Sequence, residues 1–478
     1  MKDLETVRRL IDTKRDRFIA VADRIWQLAE TRWQENESMA TQIDAIGNEG
    51  FRVQTGIAGI PTAFVAEAGH DGPVICFLGE YDALAGLSQV EAQATQAIAD
   101  PTISAGQAAG NGHGCGHNLL GTASLMAAVA VKDYLAANNL PGRVRYYGCP
   151  AEEGGSAKTF MVREGVFNDV DAALSWHPGT FNTIFASDSL ANIQVYFRFF
   201  GRASHAAAAP HLGRSALDAM ELMNVGVNYM REHMPSDARV HYAMTDGGGV
   251  APNVVQAKAE VLYLIRARDL VDMRGLFERV KKIAAGAALM TETRVEVTVD
   301  KASSNLMANT AMETLMAANF DALGPVPFDA ADIAEAARFN ATVGEDDLAS
   351  AERMQGTRLS RDQVLHDAIL PYDSESRLFM PGSTDVGDVS WAVPTAQCWT
   401  ACYALGTPGH SWQLVAQGRL PAAHKGMTQA ARVMAATAVD LLTDPVLLAR
   451  AQAEHRERIA VTPYECPIPD GVVPPCSR

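Results

Sequence analysis

GNGHGCGHNLLG, residues 110–121, sets Cys115 between His113 and His117 in a run too rich in glycine for the interior of a helix or strand. Three readings compete for it: a metal site, a nucleophilic thiol beside its base, or a turn where small residues happen to sit. The flanks decide the fold. PVICFLGE, residues 73–80, is a short apolar strand, and LLGTASLMAAVAVKDYLAAN, residues 119–138, has helical length and an Ala-rich, buried character. The glycine run is therefore a loop that opens a helix.

Outward from it the alternation continues. VRRLIDTKRDRFIAVADRIWQLAE, residues 7–30, has helical spacing, and GRVRYYG and VDAALSW, residues 142–148 and 170–176, are strands. The pattern predicts an α/β domain with a mostly parallel mixed sheet flanked by helices. Near Ala191 the texture changes. ANIQVYFRFFG (191–201) alternates like a half-exposed strand, GRSALDAMELMNVGVNYMREHM (213–234) is helical, and AKAEVLYLIRARD and TRVEVTVDKA (257–269, 293–302) are strands around another helix. This β-α-β-β-α-β succession predicts a smaller, ferredoxin-like α+β insertion. Strand and helix then resume at AQCWTACYALG (396–406) and HKGMTQAARVMAATAVDLL (424–442). The expected division is 1–190 and 306–478 for the α/β domain and 191–305 for the insertion. Residues 88–110 and 321–382 read as insertions without assigned structure, and the Pro-rich tail 462–478 as extended.

A net charge of −16 argues against nucleic acid or an anionic membrane as the main partner. Seven cysteines without a disulfide-framework spacing, and a charged amphipathic start without an apolar signal core, predict a reducing cytoplasm and no membrane span.

The glycine run belongs with CPAEEGGSAK (149–158), ALSWHPG (173–179) and ALGTPGHSW (404–412). Ligands of open α/β sheets bind beyond the carboxyl ends of strands, so four such polar clusters can converge there. The donor types suit divalent metal: Cys115, His117, Glu153, His177 and His410. Five donors exceed the needs of one tetrahedral ion and point to two ions sharing a ligand. Glu152 stays free to move a proton between water and a leaving nitrogen. The thiol reading stays open, with Cys115 near a helix N-terminus and His113 or His117 as base. It leaves Glu152, Glu153, His177 and His410 without roles. VLYLIRARDL (261–270) adds a strand ending in Arg266 and Arg268, which point to one face and suit a carboxylate.

On these residues, and on GEYDALAGLSQ, PHLGRSALDA, APNVVQ, STDVGDVSW and AHKGM, the chain resembles the dinuclear metallo-amidohydrolases of the aminoacylase/carboxypeptidase type, in their cysteine-ligand branch. The resemblance implies two divalent ions, Zn²⁺ or Mn²⁺, held by Cys115, His117, Glu153, His177 and His410, with Cys115 as the bridge and Glu152 as general acid/base. It implies that Asp82 orients a ligand, that His205 stabilises the oxyanion, in related enzymes often across a dimer, and that Asn253 and Arg266 bind substrate. The implied reaction is hydrolysis of the amide of a small anionic N-acyl amino acid, p-aminobenzoyl-glutamate first among them. The implied partners are a second copy, docked through the insertion, and a related A subunit. Two positions depart from the pattern. Asn118 replaces an Asp, which suggests altered surroundings for the ligands, and Glu80 stands where distant carboxypeptidases place a ligand histidine.

Overall fold

The computed structural model describes residues 3–98 and 110–476. The expectations for residues 99–109, and for the chain ends at 1–2 and 477–478, lie outside the described residues. A seven-stranded sheet runs in the order Arg52–Thr55, Phe64–His70, Gly142–Cys149, Val74–Glu80, Ala172–Gly179, Thr395–Ala401, Thr183–Ile184. Its four central strands, from Gly142–Cys149 to Thr395–Ala401, are parallel, and the edge pairs are antiparallel. Val74–Glu80 is buried at every residue, as a strand covered on both faces must be. The helix His117–Asn138 covers one face and packs against Pro421–Thr443. It is long and apolar enough to cross a membrane, but it is buried beneath neighbouring helices and the sheet, as its Ala-rich sequence predicts.

The second sheet has the order Arg239–Asp246, Lys258–Ala267, Ala191–Phe200, Arg294–Ser303, antiparallel throughout. Both its order and its β-α-β-β-α-β succession are ferredoxin-like, as the alternation near Ala191 predicts. Ile193, Val195, Phe197, Val261, Tyr263 and Ile265 are buried in one apolar cluster with residues of the helices Ala216–Met230 and Leu270–Met290. That cluster continues into Leu78, Phe160 and Val389, so the two sheets share one core.

Three sequence expectations are corrected. The helical pattern of residues 7–30 is two helices, Leu4–Asp12 and Arg15–Leu28. The break at Thr13–Lys14 lets Lys14 Nζ reach Asp133 at 2.6 Å and also Glu49. The strand Lys258–Ala267 ends before Arg268, which is exposed, so Arg266 alone keeps the strand face. Residues 321–382 hold two helices, Ala330–Asn340, started by an Asp329/Asp332 capping box, and Glu345–Gln355.

Candidate metal centre

Each polar cluster leaves the carboxyl end of a central parallel strand or opens the helix behind it. Glu80 and Asp82 follow from Val74–Glu80, Glu152 and Glu153 from Gly142–Cys149, and His410 lies beyond Thr395–Ala401. His177 sits near the end of Ala172–Gly179, and His117 is the first residue of its helix. Gly116 precedes it with φ 78°, a left-handed conformation, and a Cβ there would strike the Tyr403 hydroxyl. His410 itself adopts φ 54° while its amide donates to Gly114 O at 2.8 Å, which ties two of the loops together.

The donor atoms converge. Cys115, His117 and His177 offer atoms all within 4.8 Å of one another, and so do Cys115, Glu153 and His410. The sulfur belongs to both groups. Cys115 Sγ lies 3.3 Å from His177 Nε2, and His410 Nε2 lies 3.4 Å from Glu153 Oε2. His177 Nδ1 meets the Pro178 carbonyl at 2.8 Å, which turns Nε2 toward the sulfur. Asp82 works in two directions: Oδ1 holds His117 Nδ1 at 3.0 Å, and Oδ2 accepts from the Glu153 amide at 2.8 Å. Two buried atoms here, His117 Nε2 and Glu153 Oε1, have no hydrogen-bond partner. Buried polar atoms rarely go without a hydrogen bond, and each of these two belongs to a donor group that shares Cys115 and fits a divalent cation.

Burial dominates the electrostatics of the cluster. Burial, with Glu80 and Asp385 adding negative charge, holds the Glu152 carboxyl well above the usual range, and burial raises Glu153 as well. Burial and Glu153 push the Cys115 thiol up, opposite to what an activated nucleophile needs. Burial, reinforced by His117, pushes the His177 imidazole down to about 4, leaving it neutral. Burial opposes charge on His117 too, but Cys115 and Asp82 outweigh it and hold that ring well above its ordinary value.

Sequence reasoning missed Lys158 and Glu35, which tie Glu80, Asp385 and the Glu152 turn into a neighbouring network. Lys158 is wholly buried, with Nζ 2.7 Å from Glu80 and 2.6 Å from Asp385. Glu80 in turn lies 3.2 Å from His117 Nε2, and Glu80, His117 and Glu152 make a third group of convergent donors. Glu35 accepts from the Ala151 amide at 2.8 Å and supports the turn that carries Glu152. None of these pairs has a spacing signal, because each joins segments far apart in the chain. Asn118, next to His117, is buried and donates to Gly418 O at 3.2 Å. His113 bonds Ile25 O at 3.0 Å and fastens the loop to a helix, as a turn residue would.

Arg266 is partly buried, donates from Nη1 to Ser383 Oγ at 2.9 Å, and feels the charge of Glu152. His205 and Asn253 lie together on the smaller unit. His205 pairs with Val254 in a β-bridge, and the Asn253 carbonyl accepts from the Ala206 amide at 3.0 Å. Both are exposed, and no contact within the described residues joins them to the cluster. A cavity of about 310 Å³ adjoins the centre, lined by Cys115, His177, Phe181, Met354, Trp399 and Tyr403 among others.

The chain is similar to known proteins over nearly its whole length. The chain is 50% identical over 475 residues, 97% of each chain, to the B subunit of p-aminobenzoyl-glutamate hydrolase from Escherichia coli (strain K12). It is 27% identical over 461 residues to Xaa-Arg dipeptidase of Mus musculus, covering 93% of this chain and 90% of that one. A Bacillus subtilis protein described as a dinuclear metal binding peptidase from the M20 family shares the fold. It superimposes with a TM-score of 0.52 at 18% identity, over 92% of this chain and 99% of that one. The model of Peptidase family M20/M25/M40 matches residues 76–438. That span runs from the Val74–Glu80 strand to the Pro421–Thr443 helix and takes in every donor of the cluster, so the chain belongs to Peptidase family M20/M25/M40, as a metal-dependent amidohydrolase.

Proposed function

We propose that the chain hydrolyses the amide of N-acyl amino acids, p-aminobenzoyl-glutamate above all, at a centre of two divalent ions, Zn²⁺ or Mn²⁺. The observation that carries the reading is the pair of donor groups that share Cys115, with Glu152 outside both of them. The substrate is suggested by the relative that is 50% identical. Cys115, His117, Glu153, His177 and His410 would hold the ions, Cys115 being common to both donor groups. When bound, such ions polarise a carbonyl and acidify water.

The chain's own residues do the rest. Glu152 takes the proton from water and delivers it to the leaving nitrogen. Its position among other carboxylates and below His117, with Nε2 4.0 Å from Glu152 Oε2, supports that role. Asp82 fixes the tautomer and angle of His117. Arg266 binds the substrate's free carboxylate. The acyl group occupies the cavity between Phe181, Met354 and Trp399, whose apolar walls suit an aryl ring. His205 and Asn253 stabilise the oxyanion and substrate from the smaller unit, and the exposure of both supports their acting across a dimer.

In this reading residues 1–190 and 306–478 form the catalytic domain, and 191–305 form a lid and dimer surface, where Met244 and Val250 are exposed apolar groups. A related A subunit is a further partner, consistent with the name of the Escherichia coli relative. A cytoplasmic setting suits seven cysteines that are all free thiols. The test is turnover by purified chain, supplied with Zn²⁺ or Mn²⁺, across a panel of N-acyl amino acids and their carboxamides. Cleavage of the free acids over the carboxamides is expected. Equal cleavage of both would make the chain a neutral-amide hydrolase.

A further inference from the structure

Two cations on one face of the smaller sheet lack a carboxylate partner. Arg266 and Lys301 flank the central strand Ala191–Phe200 from either side: Arg266 stands opposite Asn192, and Lys301 opposite Gln194. Opposed residues share a face, and faces alternate along a strand. Ile193 and Val195 turn into the helix-packed core, so Asn192, Gln194, Arg266 and Lys301 turn the other way. Lys301 is only 8% exposed. Among the described residues no carboxylate stands within ion-pair distance of it or of Arg266, whose one side-chain hydrogen bond is to Ser383. The carboxylates that act on Lys301 through space are Glu152 and Asp385, and the one that acts on Arg266 is Glu152. Ser383, which Arg266 holds, stands two residues before Asp385, and Asp385 is joined through Lys158 to Glu80 beside His117, which puts Arg266 on the cluster's side of the sheet. Burial, with Arg266 adding like charge, pushes the Lys301 ammonium down to about 8. A buried ammonium without a counter-ion is costly, and an arriving anion removes that cost.

We infer that Arg266 and Lys301 form a two-cation subsite for a dicarboxylic amino-acid moiety, Arg266 receiving the α-carboxylate and Lys301 the side-chain carboxylate. The inference rests on the proposed function, in which Arg266 already binds the free carboxylate. One cation suffices for any N-acyl amino acid. The second, less exposed and without an ion-pair partner among the described residues, selects acidic ones. The planar guanidinium suits the bidentate grip, and the ammonium acts as a point charge on a four-carbon stem.

The experiment compares kcat/KM for p-aminobenzoyl-glutamate and p-aminobenzoyl-glutamine in the metal-supplied wild type, Lys301→Met and Lys301→Arg. The wild type should favour the glutamate conjugate by about 30-fold or more, the lower end of losing a buried charge contact. Lys301→Met should bring the ratio toward one through loss on the glutamate conjugate, and Lys301→Arg should restore part of it. Wild-type enzyme that cleaves both conjugates equally well would overturn the subsite while leaving the amidohydrolase reading intact, whatever becomes of the variants. A folded Lys301→Met that keeps the wild-type ratio would overturn it too. Cleavage of neither conjugate would overturn the function and the subsite together.

Discussion

Glu152 and Glu153 are neighbours in the chain with different surroundings. The Glu153 amide is held by Asp82 and its carboxylate faces His410, whereas Glu152 meets other carboxylates and His117. Glu152→Gln keeps the shape but cannot accept a proton, so kcat should fall at least about 10²-fold with metal content and fold unchanged. Near-wild-type turnover at verified metal content would remove Glu152 from the mechanism. Arg266→Ala should lower kcat/KM for N-acyl glutamates by a factor equivalent to about 2–5 kcal/mol if the carboxylate is left unpaired. Metal content, measured by elemental analysis, should not change. Lys158 tests a structural point, since its removal strands Glu80 and Asp385 in the core. Lys158→Met should cost about 3–5 kcal/mol in urea unfolding, and a change below about 1 kcal/mol would contradict the buried network. The ligand-type donors were legible because Gly, Cys, His and paired Glu stand out in loops after strands. Lys158 and Glu35 were not, since their partners lie 78, 227 and 116 positions away, counted between Lys158 and Glu80, Lys158 and Asp385, and Glu35 and Ala151.

At the scale of elements, the parallel strands and the ferredoxin-like unit were readable from period and order, because apolar periodicity records burial directly. The polar stretch 321–382 was not. Its helices are short and set by caps, and Glu345–Gln355 has no fully buried residue. That helix nevertheless walls the cavity beside Cys115 through Ala351 and Met354. Ala351→Trp should fill the space meant for an aryl ring. It should reduce kcat/KM for p-aminobenzoyl-glutamate by about 10–200-fold relative to N-acetyl-glutamate, whose acyl group is small. Equal effects on the two substrates would move the acyl group out of this cavity. The strand end at Ala267 teaches the reverse lesson. Arg268 fits the period of the strand, but the chain turns first and leaves it in solvent.

At the scale of the whole molecule, a scaffold delivers donors from four separate segments to one edge of a sheet. All of the chemistry hangs on whether that edge works through metal ions or through the Cys115 thiol. The most direct measurement is the hydrolysis of p-aminobenzoyl-glutamate by exhaustively chelated protein, before and after Zn²⁺ or Mn²⁺ is restored, with bound metal counted in the same samples. Activity should vanish on chelation and return as occupancy approaches two ions per chain. Turnover that survives complete chelation and is lost on thiol alkylation would contradict the metal centre and make Cys115 the nucleophile.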